Sequence, residues 1–205
     1  MMKILVVTAH PAIERSIVNT ALTRAITGIK GVTVHDLYEN YPDFQVDVHS
    51  EQALLNEHDI IVLQHPFFWY SAPALMKEWI DLVLEHGWAY GAEGKALSGK
   101  FLMNALSTGG GADAYKAKGT NHHTIREFLT PFQQTARLCN MTYLPPFVVY
   151  EGRRIERAEL AEAADHYRAA LESLANDDID PHALARCELA NNAIGKLFAQ
   201  KEPAS

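Results

Sequence analysis

Chemistry is suggested first by the stretch QHPFFWYSAP (64–73), in which Phe67, Phe68, Trp69 and Tyr70 are consecutive and Pro66 and Pro73 bracket them. Successive side chains on a strand alternate faces, so four neighbouring aromatics cannot all enter one core. Curled into a loop, the four offer flat stacking faces and free backbone amides together. That combination suits a planar aromatic ligand with polar edges. The plain alternative is an aromatic plug shielding the end of a sheet. A second stretch, HPAIERS (10–16), leads into a helical pattern from Ser16. The start of a helix exposes unpaired N–H groups and the positive end of its dipole. With the Ser16 hydroxyl, His10 and, one turn further in, Asn19, it suits a phosphate. The third stretch, STGGG (107–111), places Gly109, Gly110 and Gly111 after Thr108, where backbone can approach a ligand closely.

The elements that must position these loops follow from hydrophobic patterning. KILVVTA (3–9), DIIVLQH (59–65) and FLMNALS (101–107) are nearly continuous apolar runs of strand length. VTVHDLY (32–38) and TYLPPFVVY (142–150) complete five strands, with Pro145-Pro146 pushing the regular part of the last one beyond residue 147. Helical patterns occupy 16–26, the stretch after Pro73 with Ser71 as its cap, and 157–175. Thr124 to Glu127 and Thr130 to Gln133 both match a capping box, which predicts a short helix and then a second one to about Cys139. Apolar strands separated by helices imply a doubly wound parallel sheet covered on both faces. In such folds ligands bind at the carboxyl ends of the strands, where all three loops fall. A phosphate, a planar polycyclic ring and a close backbone wall together point to FMN. No added segment is visible for an adenine half, so FMN is preferred over FAD.

Composition narrows the rest. With 48% hydrophobic and 21% charged residues the chain is an ordinary globular one, and its charge of −7 argues against a nucleic-acid partner. Two cysteines without a CxxC pair fit a reducing cytosol. No convincing signal peptide or membrane-spanning run is present, so a cytoplasmic protein is expected. His122 and His123 are adjacent and point apart, and His10, His65 and His86 lack ligand companions at metal spacing, so no metal site is expected. GKALSGKF (94–101) imitates a phosphate loop but has Phe101 where Ser or Thr should hold magnesium, and it leads into a strand. Gly109 to Ala114 imitates a dinucleotide fingerprint, yet a polar, glycine-broken stretch follows it instead of a packing helix.

LYENYPDF (37–44), QHPFFWYSAP (64–73), EHGWAYG (85–91), STGGG (107–111) and LPPF (144–147) together resemble one family, the flavodoxin-like NAD(P)H:quinone oxidoreductases. The resemblance is strongest to the bacterial ancillary flavoproteins of glutathione-regulated potassium efflux (Kef type) and covers residue 3 to about 175. It implies a flavodoxin-like fold and an FMN-containing homodimer. It also implies two-electron, ping-pong hydride transfer from NAD(P)H to a quinone. Carried over, the phosphate end would use His10, Ser16, Val18 and Asn19. The ring would lie against Pro66, Phe67, Phe68, Trp69 and Tyr70, with Thr108 to Gly111 along its other edge. Larger quinone reductases of the fold place a tyrosine and a histidine just beyond the glycines. Tyr115 matches the tyrosine by spacing; Asn121 stands at the histidine's place, with His122 beside it as the catalytic candidate. The Kef likeness further implies a regulatory alternative, an ancillary subunit held by a potassium-efflux transporter at the inner face of the cell membrane. A carrier flavodoxin fits less well, because its docking face is more strongly acidic.

The chain is thus expected to hold a flavodoxin-like FMN-binding domain over 1–175 and an extension over 176–205. In that extension a helix from 181 to 200 would present Leu184, Cys187, Ile194, Leu197 and Phe198 as an apolar stripe, to be buried on the domain or on another subunit.

Overall fold

A computed structural model describes residues 1–192. Strands β1 (Ile4–Thr8), β2 (Val32–Asp36), β3 (Ile60–Pro66) and β4 (Phe101–Ser107) are parallel, and the sheet runs in the order β2-β1-β3-β4. The edge beyond β4 is one strand in two pieces, β5 (Thr142–Tyr143) and β6 (Phe147–Val149), both parallel to β4. Between the pieces the register slips by one residue, from Phe101 opposite Thr142 to Ala105 opposite Phe147. Pro145 and Pro146 have no N–H to give the ladder, so the extra residue bulges out there.

Alternation along the strands feeds two cores. Leu5, Val7, Ile61 and Leu63 face α3 (Val48–Asn56), α4 (Ala74–Val83) and α6 (Thr130–Leu138) through Leu55, Trp79 and Phe132. Ile4, Val6, Val62 and Met103 face α1 (Ile17–Ile26) and α7 (Arg157–Ala175) through Val18, Leu22, Tyr167 and Leu171. The expected doubly wound sheet is therefore present, with α3 as a crossover whose weak amphipathic pattern gives little sign of it. Because β1 is followed by α1 on one face and β3 by α4 on the other, a crevice opens at the carboxyl ends of these two adjacent strands.

Local departures have simple causes. Asp36 ends β2 early because its carboxylate accepts from the amides of Tyr38 and Glu39, starting the short α2 (Leu37–Asn40). Pro73, not Ser71, is the residue before α4, and no side chain caps it; Ser71 is held by its amide to the Phe68 carbonyl. Thr124 and Glu127 make their capping box on α5 (Ile125–Phe128). The second box does not form, because the Thr130 hydroxyl turns back to the Glu127 carbonyl and Leu129 takes the cap position. In the LYENYPDF region the buried Glu51 carboxylate accepts from Tyr41 at 2.5 Å and Trp79 at 2.7 Å and pairs with His35 at 2.8 Å. This staple ties the segment after β2 to α3 and α4.

The single helix expected over 181–200 is instead a four-residue turn, α8 (Pro181–Leu184), followed by irregular chain and a helical restart at 190. Leu184 and Ala190 bury in the α1/α7 core. Asn191 bonds both backbone groups of Val148, at 2.9 Å and 3.0 Å, so its side-chain amide covers the open edge of β6. Ile194, Leu197 and Phe198 lie outside the described residues.

Candidate functional site

Four loops meet at the carboxyl edge of the sheet and enclose a cleft of about 770 Å³, lined by His10, Arg15 to Val18, Pro66 to Trp69, Ser107 to Gly109, Gly152 and Arg153. A second cavity of about 310 Å³ opens beside it, lined by Phe67, Trp69, Tyr70, Gly109, Gly110, Ala114, Tyr115, Thr120 and Asn121. The two share Phe67, Trp69 and Gly109, so they are neighbouring halves of one site.

At the first loop, Ser16 caps α1 by accepting from the Asn19 amide at 3.2 Å and from Asn19 Nδ2 at 3.0 Å. Among the described residues its own O–H has no acceptor and stays free to donate. Among the described residues the amides of Ile17 and Val18 meet no acceptor, and Arg15 and Arg153 stand beside them. These are the donors and charges an anion needs. Val18 buries its side chain and offers the cleft backbone. Asn19 does not line the cleft: its amide bridges Ser16 to the Ser107 hydroxyl at 2.9 Å and fastens the loop to β4. His10 Nδ1 accepts from the Ala12 amide at 3.0 Å, which puts the ring proton on Nε2. Burial lowers the His10 pKa, against the pull of Glu14 and Asp36, so the ring is a neutral donor at pH 7.

The aromatic loop is a tight turn. The Ser71 amide donates to the Phe68 carbonyl at 3.0 Å, and the two central residues, Trp69 (φ 50°) and Tyr70 (φ 63°), are both left-handed. Glycine and asparagine are the usual occupants of such positions, and each bulky residue there costs about 1–3 kcal/mol. The four aromatics separate by role. Phe67 is buried, packing on Tyr70, Tyr115 and Phe128, and its amide is spent on the Ser107 carbonyl at 2.8 Å. Phe68 meets His10 edge-on at 5.8 Å, and its amide is spent on the Pro66 carbonyl. Trp69 stands 93% exposed at the mouth of the cleft. Tyr70 stacks on Phe128 at 4.8 Å. Among the described residues only the Trp69 and Tyr70 amides of this loop remain without acceptors, fewer than the four the sequence suggests.

In the glycine loop the Thr108 hydroxyl donates to the Gly110 carbonyl at 2.8 Å, and the Thr108 amide donates to Val149. A Cβ on Gly109 would meet no atom of the chain within 4 Å, so the space beside it belongs to the cleft. The amides of Gly109, Gly110 and Gly111 have no acceptor among the described residues, but Gly111, expected along the ring's edge, lines neither cavity and lies against the Glu151 side chain instead. Tyr115 lines the second cavity, its ring tilted against Phe67 and Tyr150. Burial raises its pKa, so it holds its proton at neutral pH. His122 is exposed and lies off the lining of both cavities; Asn121 occupies the wall instead.

Arg15, Ile17, Ser107, Gly152, Arg153, Ala114 and Thr120 are the lining residues that sequence reasoning missed, and Asn121 was passed over there in favour of His122. The signal for two of them was available, because EGRR (151–154) follows the last strand as the other loops follow theirs. Gly152 sits so near α1 that a Cβ would lie 3.1 Å from Val18, and its amide donates to the Thr108 carbonyl at 2.8 Å.

Against this geometry, a family model described as "Flavodoxin-like fold" matches residues 2–171. The chain belongs to that family. Among this flavodoxin-like protein's relatives is the glutathione-regulated potassium-efflux system ancillary protein KefG of Pectobacterium atrosepticum. It is 47% identical over 165 residues, 80% of this chain and 90% of the relative. A crystal structure of general stress protein 14 from Treponema denticola, in complex with FMN, superposes with a TM-score of 0.79. It is 40% identical and covers 84% of this chain and 99% of that one. A P. pentosaceus protein described as an NADPH-quinone reductase gives 0.75 at 35% identity, covering 82% and 96%. Among the described residues of this flavodoxin-like chain, no helix is long and apolar enough to cross a membrane.

Proposed function

We propose that this chain is an FMN-dependent NAD(P)H:quinone oxidoreductase, acting as a homodimer and running NAD(P)H + H⁺ + quinone → NAD(P)⁺ + hydroquinone. The observation that carries the reading is the set of unpartnered donors converging on one cleft: Ile17 and Val18 at one end, Trp69 and Tyr70 on one wall, Gly109 and Gly110 on the other. Their layout fits a phosphate at the start of α1 and a flat ring with polar edges between the walls. The FMN complex of the Treponema relative supports this choice.

FMN bound there supplies a two-electron carrier that takes a hydride from a nicotinamide and gives it to a quinone, one after the other. The Ser16 hydroxyl, the Ile17 and Val18 amides and the Nε2–H of neutral His10 would hold the phosphate, with Arg15 and Arg153 neutralising its charge. Phe67, Phe68 and Trp69 would exclude water from the reacting faces. Tyr115 keeps a proton on its phenol and offers it where an acceptor oxygen gains negative charge. The test is initial-rate kinetics of NADPH-dependent benzoquinone reduction by the FMN-loaded protein. Parallel double-reciprocal lines are expected for alternating use of one face; an absence of turnover with either nicotinamide would sink the reading.

The KefG likeness favours a second reading, an ancillary subunit of a glutathione-gated potassium-efflux transporter, held at the membrane by that partner. Membrane vesicles containing the transporter should retain the protein where transporter-free vesicles do not. Equal retention would remove this reading.

A further inference from the structure

On the α4 and α6 face of the sheet, His65, Asn104 and Tyr143 are buried at positions where the alternation of β3, β4 and β5 calls for apolar side chains. Their hydrogen bonds run in one direction. The Tyr143 hydroxyl donates to Asn104 Oδ1 at 2.6 Å, and Asn104 Nδ2 stands 3.1 Å from His65 Nε2. The other ring nitrogen, Nδ1, meets the Pro66 carbonyl at 3.0 Å. A carbonyl oxygen has only lone pairs, so Nδ1 carries the ring proton and Nε2 is the acceptor that Asn104 needs. Burial lowers the His65 pKa from 6.5 to about 4, so the ring is neutral in this role at pH 7.

The carbonyl at the end of this chain is one that the ladder cannot serve. Strands β1 and β3 are parallel with Thr8 opposite Gln64, and the Ala9 amide donates to the Gln64 carbonyl at 3.0 Å. Two residues further along, the donor to the Pro66 carbonyl would be residue 11, a proline without an N–H. His65 Nδ1–H takes that place, and the Phe68 amide folds back to supply a second donor at 2.9 Å. On the other edge of the same peptide, the Phe67 amide donates to the Ser107 carbonyl at 2.8 Å. The peptide between Pro66 and Phe67 is thus held from both sides, and the turn that carries the free Trp69 and Tyr70 amides starts from it. Apolar side chains would fill this face without desolvating three polar groups. What the polar trio adds is an oriented donor at Pro66.

We infer that His65 is a positioning residue: through Nδ1–H on the Pro66 carbonyl it fixes the peptide from which the 67–71 turn departs, and so aims the Trp69 and Tyr70 amides at the polar edge of the ring held in the cleft. This rests on the oxidoreductase reading and adds to it a determinant of electron affinity that lies outside the lining of both cavities. Donors aimed at such an edge hold the ring more tightly once it has gained electrons and negative charge, so the arrangement raises the midpoint potential of bound FMN.

The test separates the donor from the ring. His65→Phe keeps a flat ring against Phe132 and loses Nδ1–H. His65→Asn loses the ring and keeps an N–H near the place of Nδ1, since both nitrogens are bonded to Cγ. Midpoint potentials of bound FMN, measured by equilibration with a reference dye, are read beside urea unfolding. In His65→Phe the reduced form of FMN should lose about tenfold more affinity than the oxidised form, which lowers the potential of the two-electron couple by about 30 mV. His65→Asn should keep the potential of the wild type while unfolding at lower urea. A fall in both variants, in neither, or in His65→Asn alone would overturn the inference and leave His65 a packing residue. Nitrogen NMR of the FMN-free wild type should find the His65 proton on Nδ1, and the Nε2–H tautomer would overturn the inference independently. A wild-type protein that takes up no FMN would instead sink the oxidoreductase reading, and the role of His65 with it, whichever tautomer the ring shows.

Discussion

A phenol that stays protonated beside a cavity is a donor that titration does not switch off near neutrality, and that is the role the surroundings give Tyr115. Tyr115→Phe keeps the ring against Phe67 and Tyr150 and removes only the O–H. Turnover with benzoquinone should fall about tenfold or more while the Kd for FMN moves by less than about twofold, in keeping with a group used where charge develops. An unchanged kcat, checked by the same initial rates, would take Tyr115 out of the mechanism. That Ser16, Tyr115 and Phe67 to Tyr70 would come together at one edge was legible in the sequence because each type has a narrow set of uses beside a turn or a helix start. Asn19, expected at the phosphate for the same reason, lies off the cleft lining. Its position one turn into α1 suits a ligand, but whether a buried amide points at the cleft or braces Ser107 depends on packing that spacing does not encode. His122 shows the converse, since one residue of register separates the exposed His122 from Asn121 in the wall.

Strain concentrates in the 68–71 turn, where two aromatics hold left-handed backbone that asparagine or glycine would hold more cheaply. Trp69 is the sharper case, because a side chain 93% exposed has little packing to offset its strain. Trp69→Asn should therefore stabilise the fold by roughly 1 kcal/mol, read from urea unfolding, while weakening FMN binding in a fluorescence titration. A less stable variant, or one that binds FMN as before, would show that Trp69 serves the fold and not the site. The existence of the strands was readable because parallel strands buried on both faces are continuous apolar runs. The ends were not. Asp36 as a helix cap, the Thr130 hydroxyl turning back to Glu127 and the one-residue bulge at Pro145-Pro146 are each decided by which nearby donor or acceptor wins, and the sequence offers several.

At the scale of the molecule, the sheet hides a polar chain beneath the site. The Tyr143 hydroxyl donates to Asn104 Oδ1 at 2.6 Å, Asn104 Nδ2 meets His65 Nε2 at 3.1 Å, and His65 Nδ1 meets the Pro66 carbonyl at 3.0 Å. His65 is fully buried, and that burial, only partly opposed by the Pro66 carbonyl, pushes its pKa down from 6.5 to about 4. The unfolded chain therefore takes up this proton first as pH falls below 6.5. Stability present above pH 6.5 should decline by about 3 kcal/mol down to pH 4 and level off below. His65→Gln should lack this component, so its unfolding free energy should fall less steeply than wild type between pH 6.5 and 4.5; equal slopes would contradict the assignment. The same whole-molecule view explains why four loops form one site. They leave the carboxyl ends of neighbouring strands, and the sheet order sets them side by side with β1 and β3 at the crevice. The most direct measurement of the central claim is the visible absorption spectrum of the purified protein, taken under argon before NADPH, after NADPH and after a subsequent addition of benzoquinone. A yellow flavin spectrum that bleaches with NADPH and returns with the quinone is the predicted result. A colourless protein that takes up no added FMN would contradict the account, and Phe67 to Tyr70 would then be a plug on the end of the sheet.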